Sequence, residues 1–230
     1  MATVARCFFS SAAINHLALH DNTLNGRLNA APEFWNLVLG TSQTTLFIAL
    51  GRIFDQGKDV PFTLDRLLQA ARRGGGAIFA ANRLADRKRR FSGTADDWLE
   101  EYLSHIFVPT PQQFKGLKKL LGRYRKQFEA TYRPIRVRVY AHGIATEQEL
   151  SELFAETRRV EVERIIRILQ RVGDGLWNLY HNGQNPLKRG RFPPRGIGRL
   201  MQPPPYRGNT SDQEIIIEAV RTVMAQLGDS

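Results

Sequence analysis

The sequence predicts an all-α fold, a multi-helix bundle, and three observations carry that prediction. Apolar residues recur every three or four positions over long stretches. Several of those stretches open with a Ser or Thr followed three residues later by an acidic residue, as helix starts do. No set of β-rich runs with hairpin turns is present, so an isolated strand would leave its backbone hydrogen bonds unmet. At 230 residues, 42% hydrophobic and 24% charged, the chain is too apolar for wholesale disorder. It is long enough to bury roughly 70–75% of its unfolded surface in one sizeable core or two small ones.

Taken in order, the first 55 residues read as two helices separated by the polar, turn-rich HDNTLNGRLNAAPE. The second carries Phe34, Leu37, Val38, Thr41, Thr45, Ile48 and Arg52 near helical spacing and stops at Gly57 and Pro61. Thr63 opens LDRLLQAARR, which the run Gly74, Gly75 and Gly76 is expected to break as a swivel. AIFAANRLADRKRR resumes as a very basic helix, and Thr94 with Asp97 form a start signal for the helix bearing Trp98 and Leu99.

Phe114, Leu117, Leu121, Tyr124, Phe128 and Thr131 then make a helical stripe that Pro134 is expected to interrupt. Thr146 and Glu149 box the start of a long helix running to about Tyr180. From Gly183 to Ser211 there is no acidic residue, and proline accumulates with Lys188, Arg189, Arg191, Arg195, Arg199 and Arg207. That composition argues against a regular packed element and fits either a basic arm that grips nucleic acid or a solvated connector. Ser211 and Glu214 start a final helix with Ile215, Ile216, Val220, Val223 and Leu227 along it. The expected organisation is a bundle over 1–182, a basic Pro/Gly-rich loop over 183–211, and a C-terminal helix over 212–230 docking on the bundle.

Charge and motifs narrow the function. Thirty-three Lys and Arg against 22 Asp and Glu give a formal charge of +11, a field that attracts polyanions. The single cysteine, Cys7, excludes an internal disulfide framework and a cysteine-based zinc cluster, which fits a reducing, cytoplasmic setting. No run approaches 18 uninterrupted apolar residues, so no membrane span is expected. Asn15, His16 and His20 interrupt the N-terminal apolar region too early for a signal peptide.

Nucleophile-elbow, zinc-protease, Asp-x-Asp and P-loop patterns are absent. His16 and His20 lie four apart without a third ligand near them in sequence, so no metal or other cofactor is expected. His105 and His181 sit at helix ends, where capping or packing accounts for them.

The chemically suggestive stretch runs from Lys115 to His142. Nine basic residues, among them Lys126, Arg133, Arg136 and Arg138, face one acid, Glu129, with Tyr124, Tyr132 and Tyr140 interleaved. Such a face would bind phosphates through its cations and could stack unpaired bases on its tyrosines. The other reading is a solvated helix face, which suits the first half of the segment. It ends in RPIRVRVYAHG, where Arg136 and His142 stand six positions apart inside helical sequence. On an ideal helix that spacing leaves them roughly 120° apart in azimuth. Convergence requires the helix to end before His142, and Gly143 permits such an ending.

Two ordered blocks, ALGRIFDQGKDVPFTLDRLL at 49–68 and YRPIRVRVYAHG at 132–143, resemble the HEPN superfamily in its AbiU-type abortive-infection branch. The resemblance covers residues 1 to about 182. It implies a metal-independent endoribonuclease of a phage-defence or toxin system, acting as a homodimer that joins two Arg/His pairs in one basic cleft. A neutralising antitoxin protein is a further partner that it implies. On this reading His142 is the general acid/base and Arg136 the phosphate clamp, with Arg138, Tyr140, Arg133 and Lys126 contacting RNA. The alternative is a non-catalytic HEPN-like module that binds RNA or a partner protein. Active members commonly carry a polar or acidic residue directly after the motif arginine, where this chain has Val137. Arg138 or Tyr140 would then have to take over that role, or binding remains without catalysis. Arg52 and Asp55 in the first block are spaced for an ion pair along one helix side.

Overall fold

The computed structural model describes residues 2–57, 60, 63–186, 197–201 and 211–229, and among these every regular element is helical. The chain divides into two compact units built from interleaved stretches. One comprises Met1–Gly51, Arg133–Ala155 and Arg191–Ser230, and the other Arg52–Tyr132 and Glu156–Gly190.

In the first unit, α1 (Ala2–His20) buries Val4, Ala5, Phe8, Phe9, Ala12 and Ala13 along one side. The expected turn after it is a helix instead, α2 (Asn22–Ala30). Asp21 supplies the start by accepting from Leu24 N–H at 3.0 Å, and Leu24 is then buried, which outweighs the poor helix propensity of Asn and Gly. α3 (Pro32–Phe54) begins with a proline at its first position, where the missing N–H costs nothing.

Its stripe differs from the expected one. Leu46, Phe47 and Leu50 are buried, whereas Phe34 is 57% and Leu37 66% exposed. By length and composition α3 could also cross a membrane, with a window of mean hydropathy 1.3 of which 28% is buried. The criterion of uninterrupted apolar residues misses it because Gly, Thr, Ser and Gln punctuate the run.

α11 (Asp212–Asp229) packs along α1 and α2. Ser211 N–H donates to Glu214 Oε2 at 2.7 Å, closing the start of that helix. Its inward residues are Gln213, Ile217, Val220 and Met224, while Ile215 and Val223 face solvent. A four-residue turn, α10 (Ile197–Leu200), also rests on α1 through buried Ile197 and Leu200. Part of the proline-rich stretch is therefore regular and packed, because two apolar residues three apart share a face. Residues 187–196 and 202–210 of that stretch lie outside the described residues.

In the second unit, α4 (Leu64–Ile78) starts at Thr63, whose Oγ1 accepts from Arg66 N–H at 3.3 Å. It then runs unbroken through the three glycines. The reason is packing against α7 (Pro111–Gln127): a Cβ on Gly75 would come 3.2 Å from Phe114 Cε2, so glycine is needed for the close approach. α5 (Ala81–Phe91) follows. Thr94 makes no side-chain cap, and the expected start there is replaced by a tight turn, Ala95–Asp97, before α6 (Leu99–Ser104). Nearby, Asp96 is drawn to Arg89 at 2.8 Å.

The predicted long helix to Tyr180 is two helices: α8 (Glu147–Ala155) in the first unit and α9 (Arg159–Asn182) in the second. α9 buries Ile165, Ile166, Leu169, Val172 and Leu179 and packs on α5 and α7. The fully buried Tyr132 reaches its start, with its hydroxyl 3.4 Å from Arg158 O and 3.3 Å from Glu161 Oε2. Arg158 is extended and caps α9, and its carbonyl also accepts from Glu161 and Val162 N–H at 2.9 and 3.2 Å, so Tyr132 adds to a helix start that the backbone already closes.

Pro134 does not interrupt the helix. Past α7 the backbone widens to i→i+5 winding over Phe128–Tyr132 and Ile135–Ala141. A mid-helix proline lacks one donor and clashes with the carbonyl four residues back. Wide winding, rare in helices, relieves the crowding.

Gly76 and Gly75 separate the helix reading of α4 from the swivel reading. With no atom within 4 Å of the Cβ it would gain, Gly76→Ala is expected to stabilise the protein by about 0.5–1 kcal/mol in urea unfolding. Gly75→Ala should lose that gain against Phe114.

Candidate functional site

The widened segment of the first unit presents the sequence-predicted residues in unlike environments. Ile135 is fully buried and anchors it. Arg136, one step on, is half-buried and turned back onto α3. Its side chain occupies the place where a Cβ on Gly51 would be: that atom would lie 2.7 Å from Arg136 Cζ and closer still to Cδ and Nε. Among the described residues Arg136 makes no ion pair or hydrogen bond. A guanidinium held partly out of water with no carboxylate beside it has the chemistry to take an external anion.

Arg138 is engaged. Its Nη2 donates to Glu149 Oε1, and the same carboxylate accepts from Thr146 N–H at 3.0 Å while Thr146 Oγ1 accepts from Glu149 N–H at 3.3 Å. The Thr146 backbone N–H and then the Arg138 guanidinium hold the Glu149 carboxyl below the ordinary carboxylate range. One glutamate thus closes the start of α8 and neutralises Arg138.

Tyr140 stacks on Phe47 of α3, ring centroids 5.6 Å apart and planes at 18°. Burial pushes its hydroxyl up to about 12, so the phenol stays neutral and offers an uncharged hydroxyl and a ring face. Val137 sits half-buried between these residues.

His142 ends the segment. Its N–H donates to Val137 O at 3.1 Å, Ile144 N–H donates to Arg138 O at 2.9 Å, and Gly143 takes φ +61°. This is a glycine-terminated cap made wide, and it leaves the imidazole exposed at the exit. No hydrogen bond joins His142 to Arg136. Packing on Gly51 holds Arg136, and the backbone cap fixes where His142 leaves the helix.

Arg133 is exposed in the first unit and Lys126 exposed on α7 of the second, each without an ion pair among the described residues. In the second unit the anticipated Arg52–Asp55 pair is absent, and Asp55 Oδ1 accepts from Gly57 N–H at 3.0 Å instead. Part of the expected basic face is internally paired: Lys118 and Arg125 both reach Asp65, at 3.0 and 3.5 Å.

Among the described residues no group of three His, Cys, Asp or Glu is placed to hold a metal. The His16 and His20 rings lie 4.2 Å apart, and His20 Nδ1 is 2.7 Å from its own helix carbonyl at His16.

Gly51 and Phe47 are the residues that sequence reasoning passed over. Gly51 carried a signal, since a glycine inside an apolar helix costs about 1 kcal/mol relative to alanine and calls for a reason. Phe47 carried none, being one apolar residue among many.

A HEPN family model described as AbiU2 matches residues 8–191 of the chain. No curated protein and no solved structure matches it.

Two outcomes test the geometry. Gly143→Ala forces a side chain into left-handed backbone and should cost about 1–2 kcal/mol in chemical denaturation. Tyr140 is raised from 10.0 to about 12 by burial, so its contribution is complete below pH 10 and lost as pH rises from 10 to 12. An ultraviolet phenolate titration should show late-ionising tyrosines, with Tyr140→Phe removing one of them and flattening the alkaline loss of stability.

Proposed function

The chain belongs to the abortive-infection-related AbiU2 type of HEPN domain, and from that premise we propose that it is an endoribonuclease of a bacterial phage-defence or toxin system, cutting RNA through its own 2′-hydroxyl without a metal ion. The observation that carries the reading is Arg136. It is half-buried against Gly51, unpaired among the described residues, and followed six positions later by an exposed imidazole.

In the proposed reaction Arg136 forks onto the scissile phosphate and stabilises its growing negative charge. One imidazole takes the proton from the 2′-hydroxyl, and a second proton passes to the departing 5′-oxygen. The products are a 2′,3′-cyclic phosphate and a 5′-hydroxyl. General acid/base help of this kind is worth roughly 10²- to 10⁴-fold.

Two imidazoles require two copies, and the cytoplasmic homodimer we propose would supply them. The exposed Phe34 and Leu37 on α3 offer apolar surface for that association. A neutralising partner protein would belong to the same scheme. Arg133, in the same unit as Arg136, is the proposed phosphate contact beyond the scissile group.

Arg138, already tied to Glu149, favours a second reading. With Val137 after the motif arginine, neither Arg138 nor the neutral Tyr140 is free to act as a charged substitute. A non-catalytic module that binds RNA or a partner protein through Arg136 fits that observation.

The deciding experiment incubates the purified parent, Arg136→Ala and His142→Ala with total cellular RNA in EDTA. The parent is expected to leave cyclic phosphates and each variant to lose about 10²- to 10⁴-fold in rate. Equal cleavage by all three removes the assigned roles. No cleavage with salt-sensitive binding intact selects the second reading. Gly51→Ala should keep the fold, because the atoms it displaces end a flexible side chain, yet lower activity as Arg136→Ala does. Combined with Arg136→Ala it should add nothing. Leu37→Glu is expected to shift the protein from dimer to monomer in size-exclusion chromatography with light scattering.

A further inference from the structure

The second unit carries an array of rings and cations that the Arg136 and His142 reading leaves unused. At the end of α9, the Trp177 and His181 rings lie 3.9 Å apart, and those of His181 and Tyr180 lie 4.9 Å apart. The Arg87 guanidinium of α5 sits over the Tyr180 ring, 4.1 Å from its centroid. The four side chains form one continuous series, each touching the next. Trp177 is 64% and Tyr180 38% exposed, so ring faces remain open to solvent along the series.

The array is fixed in place. Phe79 packs edge-on to Tyr180 at 6.5 Å, Arg87 Nη1 donates to Ile78 O at 3.3 Å, and Lys88 Nζ donates to Asn182 Oδ1 at 3.0 Å. α5 is thereby held beside the end of α9. Among the described residues Arg87 Nε and Nη2 are buried with no hydrogen-bond partner, so the Tyr180 ring face and the Ile78 carbonyl are what meets this guanidinium. Arg83 and Arg90 stand one turn before and one turn after Arg87 on the same side of α5. Both are exposed and neither makes an ion pair among the described residues. α5 carries five cations against one acid, Asp86, and Asp174 precedes Trp177 on α9.

We propose that this face, where α5 meets the end of α9, is a binding platform for single-stranded RNA, built from none of the residues assigned to cleavage. Successive bases stack on Trp177 and Tyr180, and the backbone phosphates meet Arg83 and Arg90. Open ring faces suit any base, and the flanking cations supply the salt-dependent attraction, which is how strands are held without sequence preference. A purely apolar partner is disfavoured by the row of unpaired arginines beside the rings.

The test is fluorescence anisotropy with a labelled oligouridylate, using the full chain carrying His142→Ala so that no strand is cut during titration. Trp177→Ala should bind about tenfold more weakly with an unchanged salt slope. Trp177→Phe should stay near the parent. The Arg83→Ala, Arg90→Ala double variant should lower the salt slope by about 0.7 for each phosphate it no longer neutralises. A duplex of equal length should bind more weakly and be indifferent to Trp177→Ala.

Equal oligouridylate affinity for Trp177→Ala and its background overturns the platform. Absence of single-strand binding overturns it too. The readout is binding, so failure of the cleavage reading leaves this result standing, and the reverse is equally visible.

Discussion

Pro134 has no N–H to give to a helix and no room behind it for an ordinary turn, and the chain meets that constraint by winding wide on either side of it. The widened stretch has consequences in both units. Before the proline it carries Tyr132 fully into the core of the second unit, with its hydroxyl directed at the start of α9. After the proline it buries Ile135 in the first unit and delivers Arg136 onto Gly51. Proline here shapes a helix rather than ending one.

Glu149 shows how one charge serves both fold and site. It closes the start of α8 through Thr146 and also holds Arg138. A carboxylate kept ionised by a backbone donor and a guanidinium binds both best above its lowered titration range, and releases them as pH falls through it. Arg138 is thereby taken out of the pool of free cations and Arg136 is left in it. The difference between two arginines two positions apart is made by an acid eleven residues downstream of the nearer one.

Much of the helix content was legible because periodicity and start signals are local. The Thr146–Glu149 and Ser211–Glu214 starts form as their spacing requires. The faces were less legible. α3 is apolar on more than one side, so spacing alone could not choose Leu46, Phe47 and Leu50 over Phe34 and Leu37. Glycine runs and prolines misled because their cost is local while their benefit is tertiary: Gly75 admits Phe114, and Gly51 admits Arg136. Asn22–Ala30 read as a turn by propensity and folded as a helix because Asp21 capped it and Leu24 found a core.

The sequence by itself determined that the chain is all-helical, strongly basic and marked by an arginine and a histidine six apart, since composition, periodicity and motif spacing are properties of the chain alone. Tertiary structure decided which cations are free. That outcome depends on where a carboxylate or a missing Cβ stands in space, as Glu149 does for Arg138 and Gly51 for Arg136. Electrostatic pairing and close packing act over a few ångströms, and no count of residues along the chain measures that distance.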